Sequence, residues 1–332
     1  RQALTGVFPK TKSQRVTAGP VELVKCDESA GKGGCGLVQL RQSYDKAEMY
    51  GRHYGYHSAL NPSMVAHLRA MVKKIMSRVR VVPGDLIVDI GSNDATLLKA
   101  YPRAGLRLVG VDPTGEQFRR YYPRRIELIA DYFSRKTLEK RVGHQKAKIV
   151  TSISMFYDLE APLAFMQEVH DVLADDGIWV LEQSYLPSML KRTAYDTICH
   201  EHLEYYGLRQ ILWMTERSGL KIIGVELNDI NGGSFSVMLA RTESAYRPHA
   251  ASIAKLLRQE KKLAARKPYD DFRRRTLRHR DELRSFFKKA RSKKMTVAGY
   301  GASTKGNVIL QFCGITANDI QYVGEVNPGK YG

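Results

Sequence analysis

Between Ala66 and Arg241, short apolar runs alternate with longer stretches of helical periodicity. The runs are Leu86–Ile90, Leu106–Val111, Ile126–Ile129, Lys148–Val150 and Ile178–Leu181, each short enough to be a strand buried on both faces. Strands separated by helices predict a parallel sheet covered on both sides, so the fold class is α/β. Lys221–Glu226 and Ser234–Leu239 then flank the polar, glycine-containing stretch Asn228–Gly233, which permits a hairpin.

Both flanks of this region follow other patterns. On the N-terminal side, Val21–Cys26 and Cys35–Leu40 read as short strands around a glycine-rich loop. The spacing Cys-x8-Cys is looser than a zinc-ribbon knuckle, and a tetrahedral site needs more ligands than Cys26 and Cys35, so half of a metal site and a pair of structural thiols both stay open. On the C-terminal side, Met295–Asn307 reads as a strand, a glycine-rich turn and a new helix. Gln321–Val323 supplies the next strand, and the chain stops at Gly332 before such a unit is complete. The expected organisation is an N-terminal module over 1–65, an α/β domain over 66–242, and basic helices with the start of a second α/β domain over 243–332.

The 332 residues exceed the ~250–300 at which one hydrophobic core stops growing, so at least two packed units are expected. No apolar run approaches the ~18 residues of a membrane span, Arg1–Pro20 does not read as a signal peptide, and four cysteines in so long a chain make no disulfide scaffold. The cytoplasm is the expected address. The net charge of +19 is concentrated: Arg247–Lys294 holds 18 Lys and Arg against 5 Asp and Glu, or +13. Ile253, Leu256 and Leu257, then Phe272, Leu283, Phe286 and Phe287, space that segment as amphipathic helices with solvated basic faces. A phosphate-binding or membrane-surface stripe is the alternative, although aromatic residues for base stacking are sparse there.

The first candidate chemistry lies at the strand ends. In Val88–Leu97, Gly91 lets the backbone approach a ligand at the carboxyl edge of the sheet, with Asp89 and Asn93 beside it. Asp112, 21 positions after Gly91, ends the second strand where an acid can accept ribose hydroxyls. Asp131, Tyr132 and Phe133 after the third strand offer a carboxylate and rings for an adenine. A dinucleotide would require more glycines around its pyrophosphate, so S-adenosylmethionine is the better match to this sparse loop. Beyond the fifth strand comes Cys199-His200-Glu201-His202, two imidazoles around a carboxylate, the composition of an oriented general base. A helix-surface group without a task is the bland alternative. Lys305, in the turn opened by Gly299 and Gly301, suits a diphosphate, and strand–helix packing explains the same glycines nearly as well.

Taken together, Asp89–Asp94, Tyr195-Asp196-x-Ile198-x-His200-Glu201-His202, Asn231-Gly232-Gly233-Ser234 and Gly299-Tyr300-Gly301-Ala302-x-x-Lys305-Gly306 resemble the nucleotide-sugar C-methyltransferases of deoxysugar biosynthesis. The match spans nearly the whole chain in order. It implies a small zinc-ribbon-like N-terminal module, a Rossmann-like class I S-adenosylmethionine methyltransferase domain whose sheet ends in a hairpin, and a C-terminal α/β domain truncated in this chain. Cys26 and Cys35 resemble the second cysteine pair of a structural zinc site whose first pair would precede Arg1. Tyr56 and Ser58, in Tyr54-Gly55-Tyr56-x-Ser58, resemble donor contacts. His202 resembles the base, with Glu201, His200 and Cys199 around it, and Asn231, Gly233, Tyr300 and Lys305 fall in segments that would meet a nucleotide-sugar substrate. This chain departs from the family in having Cys199 where a tyrosine is common, Met155-Phe156 where some members carry a histidine, and Ala95 where glycine is usual.

The resemblance implies C-methylation next to the ketone of a nucleotide-linked 4-keto-deoxyhexose, by proton abstraction and then methyl transfer to carbon. O-methylation of a sugar hydroxyl is the nearest rival, and a basic RNA-binding protein or RNA methyltransferase the rival of another class. Neither a membrane nor a nucleic-acid partner is expected.

Overall fold

Helix α1 (Pro62–Arg78) begins where Asn61 accepts hydrogen bonds from the Ser63 and Met64 amides at 3.0 and 3.3 Å, with Pro62 at a position that needs no N–H. Its buried stripe, Met64, Leu68, Met71, Val72 and Ile75, recurs at helical spacing and packs on Ile87, Ile178 and Val180. This computed structural model describes residues 1–9, 11, 13–28, 34–50 and 54–331. The chain divides into two units, one made of Arg1–Tyr56, Leu186–Tyr205 and Lys262–Gly332, the other of His57–Tyr185 and Tyr206–Lys261.

The second unit is built on a seven-stranded sheet of β1 (Leu86–Ile90), β2 (Arg107–Val111), β3 (Ile126–Ile129), β4 (Ala147–Ile153), β5 (Leu173–Ser184), β6 (Leu220–Asn228) and β7 (Ser234–Arg241). Its order is β6-β7-β5-β4-β1-β2-β3. All five expected runs became strands, parallel to one another, and β7 runs antiparallel between β5 and β6. This is a Rossmann-like sheet closed by a reversed hairpin, as expected from the alternation of runs and from Asn228–Gly233. Helices α2 (Pro162–Val172), α3 (Leu208–Thr215) and α4 (Ala250–Glu260) belong to the same unit.

In the first unit, Leu23–Lys25 pairs antiparallel with Val38–Leu40, which also pairs with Glu204–Tyr205. Val38 and Leu40 enter a core with Leu186, Met189, Leu190, Tyr195, Leu203 and Tyr205, and Phe272 of helix α5 (Lys267–Ser292) joins it. Ala298–Tyr300, helix α6 (Thr304–Cys313) and Tyr322–Gly324 form a strand–helix–strand unit with parallel strands. Ser303 caps α6 by accepting the Gly306 amide at 3.0 Å, and Gly314 ends it with φ of +66°.

The zinc expectation finds no support. Cys26 follows the strand Leu23–Lys25 and Cys35 precedes Val38–Leu40, neither is in a disulfide, and burial pushes the Cys35 thiol up, with Cys26 adding to the rise. Among the described residues, no three His, Cys, Asp or Glu side chains converge as a metal site. Residues 29–33 of the intervening glycine-rich loop lie outside the described residues.

Candidate active site

The carboxyl ends of β1–β3 gather the expected donor residues. Gly91 has φ of +75°, a conformation that favours glycine, and a Cβ there would lie 3.0 Å from Met155 Cγ. Asp112 is 5% exposed: its Oδ1 accepts from the Thr114 amide at 2.7 Å and hydroxyl at 2.6 Å, and its Oδ2 from the Asn93 amide at 2.7 Å. The carboxylate therefore organises both loops, with the remaining acceptor capacity of Oδ2 for a ligand hydroxyl. Asn93 in turn accepts the Ser58 amide at 3.0 Å on Oδ1, which ties the segment at Ser58 to the loop. Asp131 and Tyr132 are exposed, and the Phe133 ring packs against Phe165 at 5.3 Å. Tyr56 is exposed and falls in the other unit.

Two residues here escaped the sequence reading. Asp94 is fully buried; its Oδ1 accepts the Thr96 amide at 3.0 Å and its Oδ2 the Ala59 amide at 2.9 Å. His57 Nε2 lies 2.7 Å from the same Oδ2, and its ring sits on Tyr121 at 4.7 Å. Burial holds the His57 pKa below its ordinary value, against the pull of Asp94. The signal was present, since His57 is the unassigned position within Tyr54–Ser58. Asp89, on β1, accepts the Thr151 hydroxyl at 2.6 Å; burial pushes it up to about 7, and Asp112 and Asp94 add to the rise. Three buried carboxylates thus share one edge of the sheet, an environment that favours a cationic ligand and opposes a pyrophosphate.

Asn231, Gly232 and Gly233 turn between β6 and β7 with φ of +54°, +89° and +118°, and the Gly233 carbonyl accepts the Tyr185 amide at 3.0 Å. These residues belong to the same unit as the donor edge.

The histidine group belongs to the first unit and is not on a helix: it follows the short 3-10 turn Tyr195–Thr197 and leads into Glu204–Tyr205. His202 Nδ1 is 2.8 Å from the Thr197 carbonyl. A carbonyl only accepts, so Nδ1 carries the proton and Nε2 is the basic nitrogen of the neutral ring. Burial, opposed by the Thr197 carbonyl and aided by Lys305, lowers the His202 pKa to about 4. The expected tautomer-fixing partner was Glu201; the backbone carbonyl does that work, because the Glu201 side chain turns the other way. Its Oε2 lies 3.4 Å from the Thr5 hydroxyl, and a Cβ on Gly6 would come within 2.0 Å of Oε1. Burial raises the Glu201 pKa.

His200 is fully buried with Tyr44 edge-on at 4.7 Å, and burial brings it to about 4, opposed by the Gln2 and Gly19 carbonyls. Cys199 is buried as well, and its electrostatic neighbour is Lys305. Lys305, on the first turn of α6, is lowered by burial, while Asp196 and Cys199 hold it up. The amide of Ala302, in the preceding glycine-rich turn, is taken by the Glu325 carboxylate at 2.6 Å. Tyr300 is 90% exposed.

Comparison with known proteins adds an independent line. A family model described as the C-methyltransferase C-terminal domain matches residues 229–332, and a methyltransferase-domain model matches residues 66–225. C-methyltransferase NovU of Streptomyces niveus is 31% identical over 316 residues, covering 94% of this chain and 73% of that protein. Among solved structures, mitomycin 7-O-methyltransferase MmcR matches with a TM-score of 0.42 and 17% identity over 55% of this chain and 55% of its own. The CcbJ methyltransferase of Streptomyces caelestis matches with a TM-score of 0.40 and 11% identity over 52% of this chain and 89% of its own. On the agreement with NovU along most of both lengths, the chain belongs to the C-methyltransferase family and is a methyltransferase.

Proposed function

We propose that this chain methylates a carbon next to the ketone of a nucleotide-linked 4-keto-deoxyhexose, with C-3 as the acceptor atom and S-adenosylmethionine as donor. The observation that carries the reading is the His202 hydrogen bond to the Thr197 carbonyl, which presents a neutral imidazole with Nε2 as proton acceptor. The three buried carboxylates Asp89, Asp94 and Asp112 support a donor of net positive charge at the β1–β3 edge. Gly91, Asn93, Asp112 and Asp131–Phe133 would hold it, with Ser58 bonded to their loop and Tyr56 assigned to the donor by resemblance. When bound, S-adenosylmethionine supplies a methyl group activated by a sulfonium.

The remaining steps belong to the chain. The 4-keto group acidifies the neighbouring C–H, and His202 Nε2 takes that proton, leaving an enolate whose carbon would accept the methyl as the donor's S–C bond breaks and S-adenosylhomocysteine departs. A positioned base contributes ~10²–10⁴-fold to such a step. Lys305, set by α6 in the electrostatic field of Asp196, Cys199 and His202, is assigned to the anionic acceptor, with Tyr300 on the strand before it and Asn231 and Gly233 as further acceptor contacts. Glu201, His200 and Cys199 shape the surroundings of the base.

The test is exchange of the C-3 hydrogen with solvent deuterium in the absence of donor, using thymidine-, uridine- and guanosine-diphosphate 4-keto-6-deoxyhexoses. Wild-type protein is expected to exchange at least one of them, and His202→Asn to lose the exchange while still binding S-adenosylhomocysteine. Exchange at the normal rate in His202→Asn would put the base elsewhere. Methyl transfer without any exchange-competent C–H would point to a hydroxyl as acceptor.

A further inference from the structure

Strand β5 presents Ile178, Val180 and Glu182 to one face of the sheet at the alternate-residue spacing of a strand. The first two pack with Met71 and Ile75 of α1. The third is a carboxylate only 2% exposed, where packing alone would take an aliphatic side chain. Burying an ion there costs several kcal/mol unless its oxygens are satisfied.

Both oxygens are engaged. Glu182 Oε1 lies 2.6 Å from Nε2 of His67, on α1, and Oε2 accepts from Asn228 Nδ2 at 2.8 Å. Asn228 Oδ1 then accepts the Ile230 amide at 3.0 Å, while the Glu182 carbonyl accepts the Ser154 amide at 2.7 Å. The two loops gripped in this way are both in the left-handed region: Ser154 has φ of +56°, and Asn231 to Gly233 follow at +54°, +89° and +118°. They also touch, since Asn231 Nδ2 donates to Ser154 Oγ at 3.3 Å. Such backbone persists only where its surroundings over-determine it, and functional sites are where it collects.

We propose that Glu182 is a positioning residue for acceptor binding: braced by His67, it fixes the Asn231–Gly233 turn and the Ser154 loop through Asn228 and its own carbonyl. The proposal rests on the reading of that turn as an acceptor contact. A merely structural pair would be replaceable by apolar side chains of similar volume, as buried ion pairs often are. A positioning residue would not be.

The experiment compares Glu182→Gln with the double variant Glu182→Met/His67→Leu, using whichever nucleoside-diphosphate 4-keto-6-deoxyhexose the wild type accepts. Both are expected to raise the acceptor KM about tenfold, equivalent to ~1.4 kcal/mol of binding, with S-adenosylhomocysteine affinity by calorimetry unchanged. The double variant is expected to keep the wild-type melting temperature, which separates lost positioning from lost folding. Wild-type KM in the double variant overturns the proposal. Asn231→Ala, measured in parallel, distinguishes the two levels: if it raises KM while the double variant does not, the turn binds the acceptor and Glu182 does not position it. If Asn231→Ala leaves KM unchanged, the turn is no acceptor contact and the proposal falls with that reading.

Discussion

A histidine serves as a base only while it is neutral, and two features of His202 keep it so: burial, and the nearby Lys305 ammonium. The acid limb of kcat/KM reports the ionisation of the free enzyme's base. For the wild type that limb is therefore expected well below the ordinary histidine value of 6.5, toward about 4. Lys305→Met removes a cation that disfavours protonation and should move the limb to higher pH, whatever it does to the maximal rate. Asp196, Cys199, His200 and Glu201 remain as other ionisable groups of the cluster, and none is altered. A pH–rate profile over 4.5–8 checks both statements; an unmoved limb in Lys305→Met would separate this lysine from the base. The sequence singled out His202 as a candidate base with Glu201 beside it, yet the two adjacent side chains take different partners. The Thr197 carbonyl that orients the ring has no side-chain signature, so only the backbone path could reveal it.

At the scale of elements, the five parallel strands and the closing hairpin were legible because apolar runs of strand length are bounded by polar turns. The basic segment was legible as helices but not in its use. Arg275 Nη2 donates to the Leu190 carbonyl at 2.5 Å, in the last turn of the helix Leu186–Arg192, and Arg284 Nε donates to the Cys313 carbonyl at 2.8 Å, the last residue of α6. Cations on helix C-termini are stabilising, so part of the charge of α5 serves the fold. The mirror case is Glu260, at the end of α4. It is 5% exposed and accepts the Leu208 and Arg209 amides at 2.7 and 3.0 Å, at the N-terminus of α3, together with the Tyr185 hydroxyl at 2.7 Å. Glu260→Ala would strand three donors and is expected to cost about 2–4 kcal/mol, since single bonds to charged groups contribute ~1.5–3. Glu260→Gln keeps one acceptor and should cost less. Urea unfolding followed by circular dichroism measures both, and a loss under about 0.5 kcal/mol for the alanine variant would show the contact to be incidental.

For the whole molecule, the buried ionisable groups oppose one another in a way that fixes how stability varies with pH. His200 and His202 stay neutral in the folded chain down to about 4, whereas an unfolded histidine takes up its proton near 6.5. Below 6.5 the unfolded state therefore binds more protons, and stability falls as pH drops through this window, by at most roughly 1.4 kcal/mol per pH unit for each ring. Asp89 acts in the opposite sense. Its folded carboxyl keeps the proton up to about 7 against an ordinary value of 3.8, so its contribution falls as pH rises between those values. The lowered His57 adds to the histidine side, while Asp112 and Glu201, both raised by burial, add to that of Asp89, so the net slope is a balance of two opposing sets. What each variant changes, relative to the wild type, is then set by the group it removes. His200→Gln removes one of the histidine titrations and should lower the slope of melting temperature against pH over 4.5–6.5, whatever its effect on absolute stability. Asp89→Asn, which retains an oxygen for the Thr151 hydroxyl, should raise that slope and raise stability most above pH 7. Calorimetric scans of the three proteins across this range decide the matter: equal slopes in all three would mean that these buried groups do not govern the acid response, and that surface carboxylates do.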